Sequence, residues 1–100
     1  MVKGTTPTII CTLPETVDLT AAENVYFSLQ QGANIITKTG NSLDVSAHEV
    51  SVYFSQEETL LLSPGTARVQ LNWTYANNSR ACSNIVDISV TNNLILEVLA

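Results

Sequence analysis

The chain has a single histidine, His48, which is the first residue to consider for catalysis. An imidazole base needs a nucleophile within hydrogen-bond reach and a third group that orients the ring. Ser46 and Glu49 are close in sequence, but strand geometry sends neighbouring side chains to opposite faces. One histidine with two distant cysteines also lacks the close pair of ligands typical of zinc sites. We therefore interpret His48 as a solvated turn residue.

Two adjacent carboxylates, Glu57 and Glu58, are the other candidates for acid–base chemistry. Neighbours on a helix point in different directions, so they cannot act on one reacting centre. Glu58 instead stands three residues after Ser55, which is the spacing of a helix capping box. The aspartates lack calcium-loop spacing, and the glycines form no phosphate loop. The sequence therefore predicts a protein that is not an enzyme and binds no metal or cofactor.

Charged residues make up only 13% of the 100 residues, and the net charge is -5. The four basic residues, Lys3, Lys38, Arg68 and Arg80, are scattered, whereas phosphate binding needs several on one face. We therefore expect neither nucleic acid nor an anionic membrane as a partner. The first residues resemble no signal peptide, which predicts synthesis in a cytoplasm.

Alternating apolar and polar residues recur in short runs separated by turn residues, which is typical of half-buried strands. We predict strands over residues 8–13, 24–31, 34–39, 42–46, 49–55, 67–75, 80–90 and 94–99. A short helix near 56–62 follows the capping box. Seven or eight such strands predict a single domain over residues 1–100. Its fold class is all-β: an antiparallel two-sheet sandwich, immunoglobulin-like in architecture.

The alternation also predicts which side chains face the core. The inward residues include Val69, Leu71, Trp73 and Tyr75 on one strand, and Cys82, Val86, Ile88 and Val90 on the next. Cys11 and Cys82 are then interpreted as buried free thiols that act as small apolar side chains. A disulfide between these two strands is the alternative.

Four residues are candidates for an interface with another protein: Tyr26, Tyr53, Ile95 and Leu99. The two tyrosines occupy outward positions beside Ser and Gln, and exposed tyrosines often anchor protein interfaces. A second layer of this chain could instead cover them. Ile95 and Leu99 belong to a final run that is apolar on both faces except for Glu97. Such a strand is either covered within its own chain, which we expect here, or covered by a partner.

Several segments resemble a family of small proteins encoded in prophages of Gram-positive gut bacteria. These segments are residues 3–8, 13–14, 55–60, 69–73, 81–85 and 94–99. They are spread from residue 3 to residue 99, so the resemblance extends over nearly the whole chain. The resemblance implies a phage structural component, located in the virion and made in the cytoplasm of a bacterial host. It implies no catalytic residue.

The leading hypothesis is therefore a structural or interaction module of a phage particle. Its partners would be other virion proteins or copies of itself, in a homo-oligomer or a larger assembly. It would serve as a capsid decoration or fibre base, or as a tail or baseplate component. The alternative is a carbohydrate- or cell-surface-binding adhesion module of similar fold, in which Trp73 or the tyrosines stack on sugars. Because Trp73 shares a face with Val69 and Leu71, we expect it to be buried.

Overall fold

The computed structural model describes residues 1–99, which form eight strands, one α-helix and two short 3-10 helices. The strands are β1 (Thr8–Thr12), β2 (Asn24–Gln31), β3 (Asn34–Thr39), β4 (Leu43–Val45), β5 (Glu49–Tyr53), β6 (Gly65–Thr74), β7 (Arg80–Cys82) and β8 (Val86–Val90). The helix α1 is Gln56–Leu60, and the 3-10 helices are Leu19–Ala21 and Gly40–Ser42.

Two antiparallel sheets pack together, which confirms the predicted all-β sandwich. The smaller sheet has the strand order β1-β5-β4. The larger has the order β3-β2-β6-β7, and β8 also pairs with β6. Both β7 and β8 therefore lie beside β6, one after the other along its length.

The core lies between the two sheets and follows the predicted alternation on the central strands. Phe27 and Leu29 of β2 and Val50 and Val52 of β5 are fully buried. The β6 residues that were predicted to face inward include Trp73, whose exposed fraction is 3%. Period-two patterning is reliable on these strands because each has one face against the opposite sheet.

The capping box predicted at the start of α1 is present. The backbone N–H of Glu58 donates to Ser55 Oγ at 3.2 Å, and the N–H of Ser55 donates to Glu58 Oε1 at 2.9 Å. Lys38 Nζ, which lies 5.3 Å from the ring centroid of Phe54, also donates to Glu58 Oε1 at 2.7 Å. Glu58 thus links the helix to β3, and its charge stabilises both contacts.

These contacts predict a pH dependence of stability. Partial burial would raise the pKa of Glu58, but the hydrogen bonds from Lys38 and Ser55 outweigh it and lower the pKa below the usual 4.5. The carboxylate therefore stabilises the fold above its unfolded-state pKa, and this contribution is lost as the pH falls through its folded-state pKa. Glu58→Gln keeps the capping geometry and removes the charge, so we expect it to be about 1 kcal/mol less stable at neutral pH.

Urea unfolding of the wild type and Glu58→Gln at several pH values between about 7 and 3 checks this expectation. The difference in unfolding free energy should shrink as the pH falls, because the wild-type carboxylate becomes protonated. A difference that stays constant over the whole range would contradict the proposed role of the charge.

The predicted strand 80–90 is interrupted, which corrects the orientation of Cys82. Cys82 pairs with Asn72, and Val86 pairs with Val69. The three residues 83–85 therefore lie opposite only two residues of β6, 70 and 71. This extra residue is a β-bulge, and it shifts the alternation by one. Ser83 holds the bulge, because the backbone N–H of Leu71 donates to its Oγ at 2.9 Å. Cys82 is consequently exposed, whereas Ala81 packs against the core.

The predicted last strand, 94–99, is also wrong. Residues 94–99 form no strand, and the chain just before them pairs with the N-terminus, since Val2 forms a parallel bridge with Thr91. The N–H of Lys3 donates to Thr91 O, and the N–H of Thr91 donates to Met1 O. The N-terminal residues therefore pair with the backbone at the end of β8, immediately before the predicted strand.

Polar side chains fix α1 and the loop that follows it to the rest of the sandwich. The hydroxyl of Thr59, which is fully buried, donates to Thr5 O at 2.7 Å. The side-chain amide of Gln31 donates to Ser63 O and accepts from the Ser63 N–H. These contacts hold α1 beyond the end of β5, next to the start of β1. No helix within residues 1–99 has the length and apolar character needed to cross a membrane.

Candidate functional site

The most exposed apolar segment of the structure is residues 94–99, which we call the tail. Leu94 is 99% exposed, and the other apolar side chains of the tail, Ile95, Leu96, Val98 and Leu99, are each more than half exposed. Contiguous apolar residues on a surface typically mark a site of contact with another molecule. The tail contains two of the predicted interface residues, Ile95 and Leu99. The expectation that its own chain covers it is wrong.

The side chains of Asn93 and Gln56 anchor the two ends of the tail through hydrogen bonds to backbone groups, although the apolar side chains of the tail are exposed. At its start, the Asn93 side-chain amide donates to Lys3 O at 3.0 Å, and its oxygen accepts from the N–H of Ile95 at 3.2 Å. At its end, the side chain of Gln56 donates to Leu99 O and accepts from the Leu99 N–H, both at 2.7 Å. Gln56 thereby imitates a neighbouring strand, which indicates that the tail backbone accepts strand-like pairing.

A second apolar feature is an open groove between β1 on one side and β6, β7 and β8 on the other. Its volume is about 620 Å³. Its walls are formed by Ile9, Ile10, Cys11, Thr12, Leu13, Pro14, Val17, Val69, Gln70, Leu71, Trp73, Ala81, Cys82, Ser83, Asn84, Val86 and Ile88. The groove lies between two sheets that do not pair here, because β1 pairs with β5 whereas β7 and β8 pair with β6. None of these lining residues is charged.

One wall of the groove is a strand edge. β1 pairs with β5, and within residues 1–99 no strand pairs with its other side. Proteins usually protect such edges, and here the strand is short and has Pro7 before it and Pro14 after it. Ile10 and Val86, on opposite sides of the groove, are each more than half exposed. The groove therefore offers unpaired backbone groups next to apolar side chains.

Both cysteines line this groove as free thiols. Cys11 is half-buried, and this burial raises the pKa of its thiol, which favours the protonated form. Cys82 lies at the exposed end of the bulge, so the prediction that it is buried is wrong. The protonated Cys11 is suited to packing rather than to nucleophilic chemistry.

Comparison of the chain with protein-family models, with curated proteins and with solved structures finds no match. Function is therefore inferred from the surfaces of this molecule. The tail and the groove each combine several apolar side chains with backbone available for pairing.

The predicted interface tyrosines lie on separate faces of the sandwich. Tyr26 is half-buried on the outer face of the larger sheet, where it pairs with Thr39 and Asn72. Tyr53 is 52% exposed on the smaller sheet, and its hydroxyl donates to Asp44 Oδ2 at 3.0 Å. This hydrogen bond to a carboxylate raises the pKa of Tyr53. Because they stand on opposite outer faces, Tyr26 and Tyr53 cannot contribute to one contact surface.

His48 is more constrained than the predicted solvated turn residue. Its ring is half-buried, and Nδ1 lies 2.6 Å from Val17 O, which can only accept a hydrogen bond. Nδ1 therefore carries the proton and donates. Nearby, hydrogen bonds from the Thr20 hydroxyl and backbone lower the pKa of Asp18. His48 and Asp18 thus fix the loop before β2. Within residues 1–99 no cluster of three His, Cys, Asp or Glu side chains could hold a metal ion.

The tail can be recognised in the sequence, whereas the groove cannot. The tail is visible as an unbroken apolar run. The groove arises from strands that are distant in sequence, and its lining includes Ser83 and Asn84 of the bulge. The small polar residues Ser83 and Asn84, between two apolar stretches, are the signal that could have indicated a break in the strand.

Proposed function

We propose that the chain is a non-enzymatic structural module of a bacteriophage particle, assembled in the cytoplasm of a bacterial host. It acts through protein–protein contacts with copies of itself or with neighbouring virion proteins. The sequence resemblance to prophage-encoded proteins motivates the placement in a virion, as a capsid decoration, fibre base, tail or baseplate component. The observation that supports a contact function is the exposed apolar tail.

The tail is suited to contact because its side chains have apolar area still to bury. Covering the exposed half of a Leu, Ile or Val side chain contributes about 1 kcal/mol. Five such side chains lie in the tail. Their combined contribution is enough for a specific weak contact, which repetition in a large assembly would strengthen. Asn93 fixes the start of the tail, so less conformational entropy is lost on binding.

Two measurements test this proposal. Light scattering on the purified protein should give a mass that rises with concentration, and the rise should be larger at high salt. Salt screens repulsion between copies of net charge -5 and leaves apolar burial in place. Mass spectrometry of phage particles, induced from the strain that carries the gene, should detect the chain in stoichiometric amount. Absence from the particles would refute the virion assignment.

The second candidate function is a carbohydrate- or cell-surface-binding adhesion module. One observation favours it: Tyr26 lies among polar residues on the broad outer face of the larger sheet, beside Thr39 and Asn72. An aromatic ring next to hydroxyl and amide groups is a common sugar-binding arrangement. Trp73 does not serve this function, because its ring is buried in the core.

A glycan-array comparison of the wild type with Tyr26→Ala separates the two candidate functions. The adhesion module predicts binding to at least one glycan that is lost in the variant. The structural module predicts no glycan binding by either protein. Fluorescence supplies a further check, because a red-shifted, quencher-accessible Trp73 emission would favour the adhesion module.

A further inference from the structure

The geometry points to head-to-tail self-assembly, in which the tail of one copy adds as a strand to the free edge of β1 in a second copy and covers its groove. This inference deepens the proposed function and rests on it. It commits to a second copy of this chain as the occupant of the groove. Addition of a strand to an exposed sheet edge is a recurrent mode of protein recognition.

The lengths of the two segments match. β1 presents five residues, Thr8–Thr12, which span about 17 Å as a strand. The six residues of the tail, 94–99, span about 20 Å when extended. Because the tail has no Pro or Gly, each of its residues can contribute a backbone N–H and C=O to a new ladder.

The order of side chains in the tail also fits a strand with one face on the groove. In an extended tail, Leu94, Leu96 and Val98 point to one side, and Ile95, Glu97 and Leu99 point to the other. The first set is entirely apolar, and the groove lining carries no charged side chain. With the first set in the groove, the single charge of the tail, Glu97, stays in water and needs no buried partner.

The anchors of the tail direct it away from the groove of its own molecule. Gln56 holds Leu99 at α1, and α1 lies beyond the Thr8 end of β1, since Thr8 pairs with Tyr53 and the N–H of Phe54 donates to Pro7 O. The groove extends in the other direction, to Leu13 and Trp73. The end of the tail is thus held at α1, outside the residues that line the groove.

The tail and the groove are different surfaces, so a contact in which one copy gives its tail and the next gives its groove is heterologous. Repetition of such a contact forms a ring or an open filament. When the tail transfers, its backbone exchanges the two hydrogen bonds of Gln56 for those of a strand edge. The gain then comes from burying its apolar side chains together with Ile10 and Val86.

A complementation experiment with two charge substitutions on the full chain tests this assembly. Val86→Asp places a charge in the groove, and Leu96→Asp places one in the tail. Both side chains are more than half exposed, so the variants should fold, which circular dichroism checks. By light scattering, each variant alone should be monomeric where the wild type associates. An equimolar mixture should form a 1:1 dimer, because one variant retains its tail and the other its groove.

The matched control is Ile35→Asp, which places the same charge on a similarly exposed apolar residue of β3, outside both surfaces. It should associate like the wild type. A wild type that stays monomeric overturns the inference, and so does a Val86→Asp variant that associates normally. If Leu96→Asp alone is monomeric and the mixture gains no dimer, the contact joins tail to tail and the inference is also overturned.

A synthetic peptide with the sequence of residues 91–100 provides an independent measurement. Labelled with a fluorophore, it should bind the Leu96→Asp protein, whose groove is intact, and bind Val86→Asp at least about tenfold more weakly. Equal affinity for both proteins would contradict binding in the groove. These results are separate from particle composition: a chain absent from virions can still assemble head to tail, and a virion component can lack this contact.

Discussion

Replacing Trp73 with alanine is expected to lower the free energy of unfolding by about 3–5 kcal/mol. The side chain is 3% exposed and stands opposite Val25 of β2. Its indole N–H donates to the Tyr75 hydroxyl at 2.9 Å, so the ring lies in one fixed orientation. The substitution removes apolar contacts and enlarges the groove at its floor. Urea unfolding measures the loss, and the melting temperature should fall by more than about 10 °C.

Tyr75→Phe is the control for the polar part of this effect. It removes the hydroxyl that accepts from Trp73 and leaves the ring in place, so it should cost about 1 kcal/mol. A Trp73→Ala variant that melts within about one degree of the wild type would show that the tryptophan contributes little to the core. That result would place the ring at the surface and revive the stacking role considered for the adhesion module.

The central part of the fold could be predicted because its residues follow local rules. β6 alternates without interruption from Ala67 to Trp73, and the observed burial follows the same order. The capping box was predictable because Ser55 and Glu58 satisfy each other's backbone over three residues. In both cases the physical cause lies within one element, so the sequence pattern carries it directly.

The orientation of residues 80–90 depends on a contact that local patterning does not contain. Cys82 and Val86 are four residues apart, so uninterrupted alternation along one strand predicts that both side chains lie on the same face of the sheet. The hydroxyl of Ser83 replaces a backbone carbonyl as acceptor for the N–H of Leu71, and this accommodates the extra residue. The bulge is a property of the pair of strands. Ser83 and Asn84 can indicate a break in the strand, but the register on either side of it depends on pairing with β6.

The prediction of a strand over the tail is wrong for a related reason, which concerns the pairing of distant segments. Its composition correctly indicates a segment able to form a strand, but strand formation requires a free edge. Residues 1–3, about 90 positions away in sequence, pair with the chain at Ser89 and Thr91, just before the tail. Pairing between two segments so far apart cannot be recognised from the residues of either segment alone. The groove was missed for a similar reason, since β1 and β8 border it without pairing.

Phe27→Ala is expected to be the other strongly destabilising substitution, with a loss of about 3–5 kcal/mol. Phe27 is fully buried at the middle of β2, the strand that pairs with both β3 and β6. Its ring meets that of Phe54 edge-to-face, with centroids 5.7 Å apart. Unlike Trp73, it does not line the groove, so the vacated volume cannot open to solvent and an internal cavity should remain. Urea unfolding measures the loss, and Phe27→Leu should cost less because it fills most of the space.

A double-mutant cycle with Phe54→Ala isolates the aromatic contact from burial alone. If the edge-to-face geometry contributes, the two alanine substitutions should be coupled by about 0.5–1.5 kcal/mol, so that the double variant loses less stability than the sum of the single ones. Phe54 also lies under Lys38 Nζ, and Lys38 bonds Glu58. Glu58→Gln changes this network but not the contact between the two rings. Repeating the cycle in the Glu58→Gln background should lower the overall stability and leave the Phe27–Phe54 coupling energy unchanged. Strictly additive losses in both backgrounds would show that the two rings stabilise the core independently.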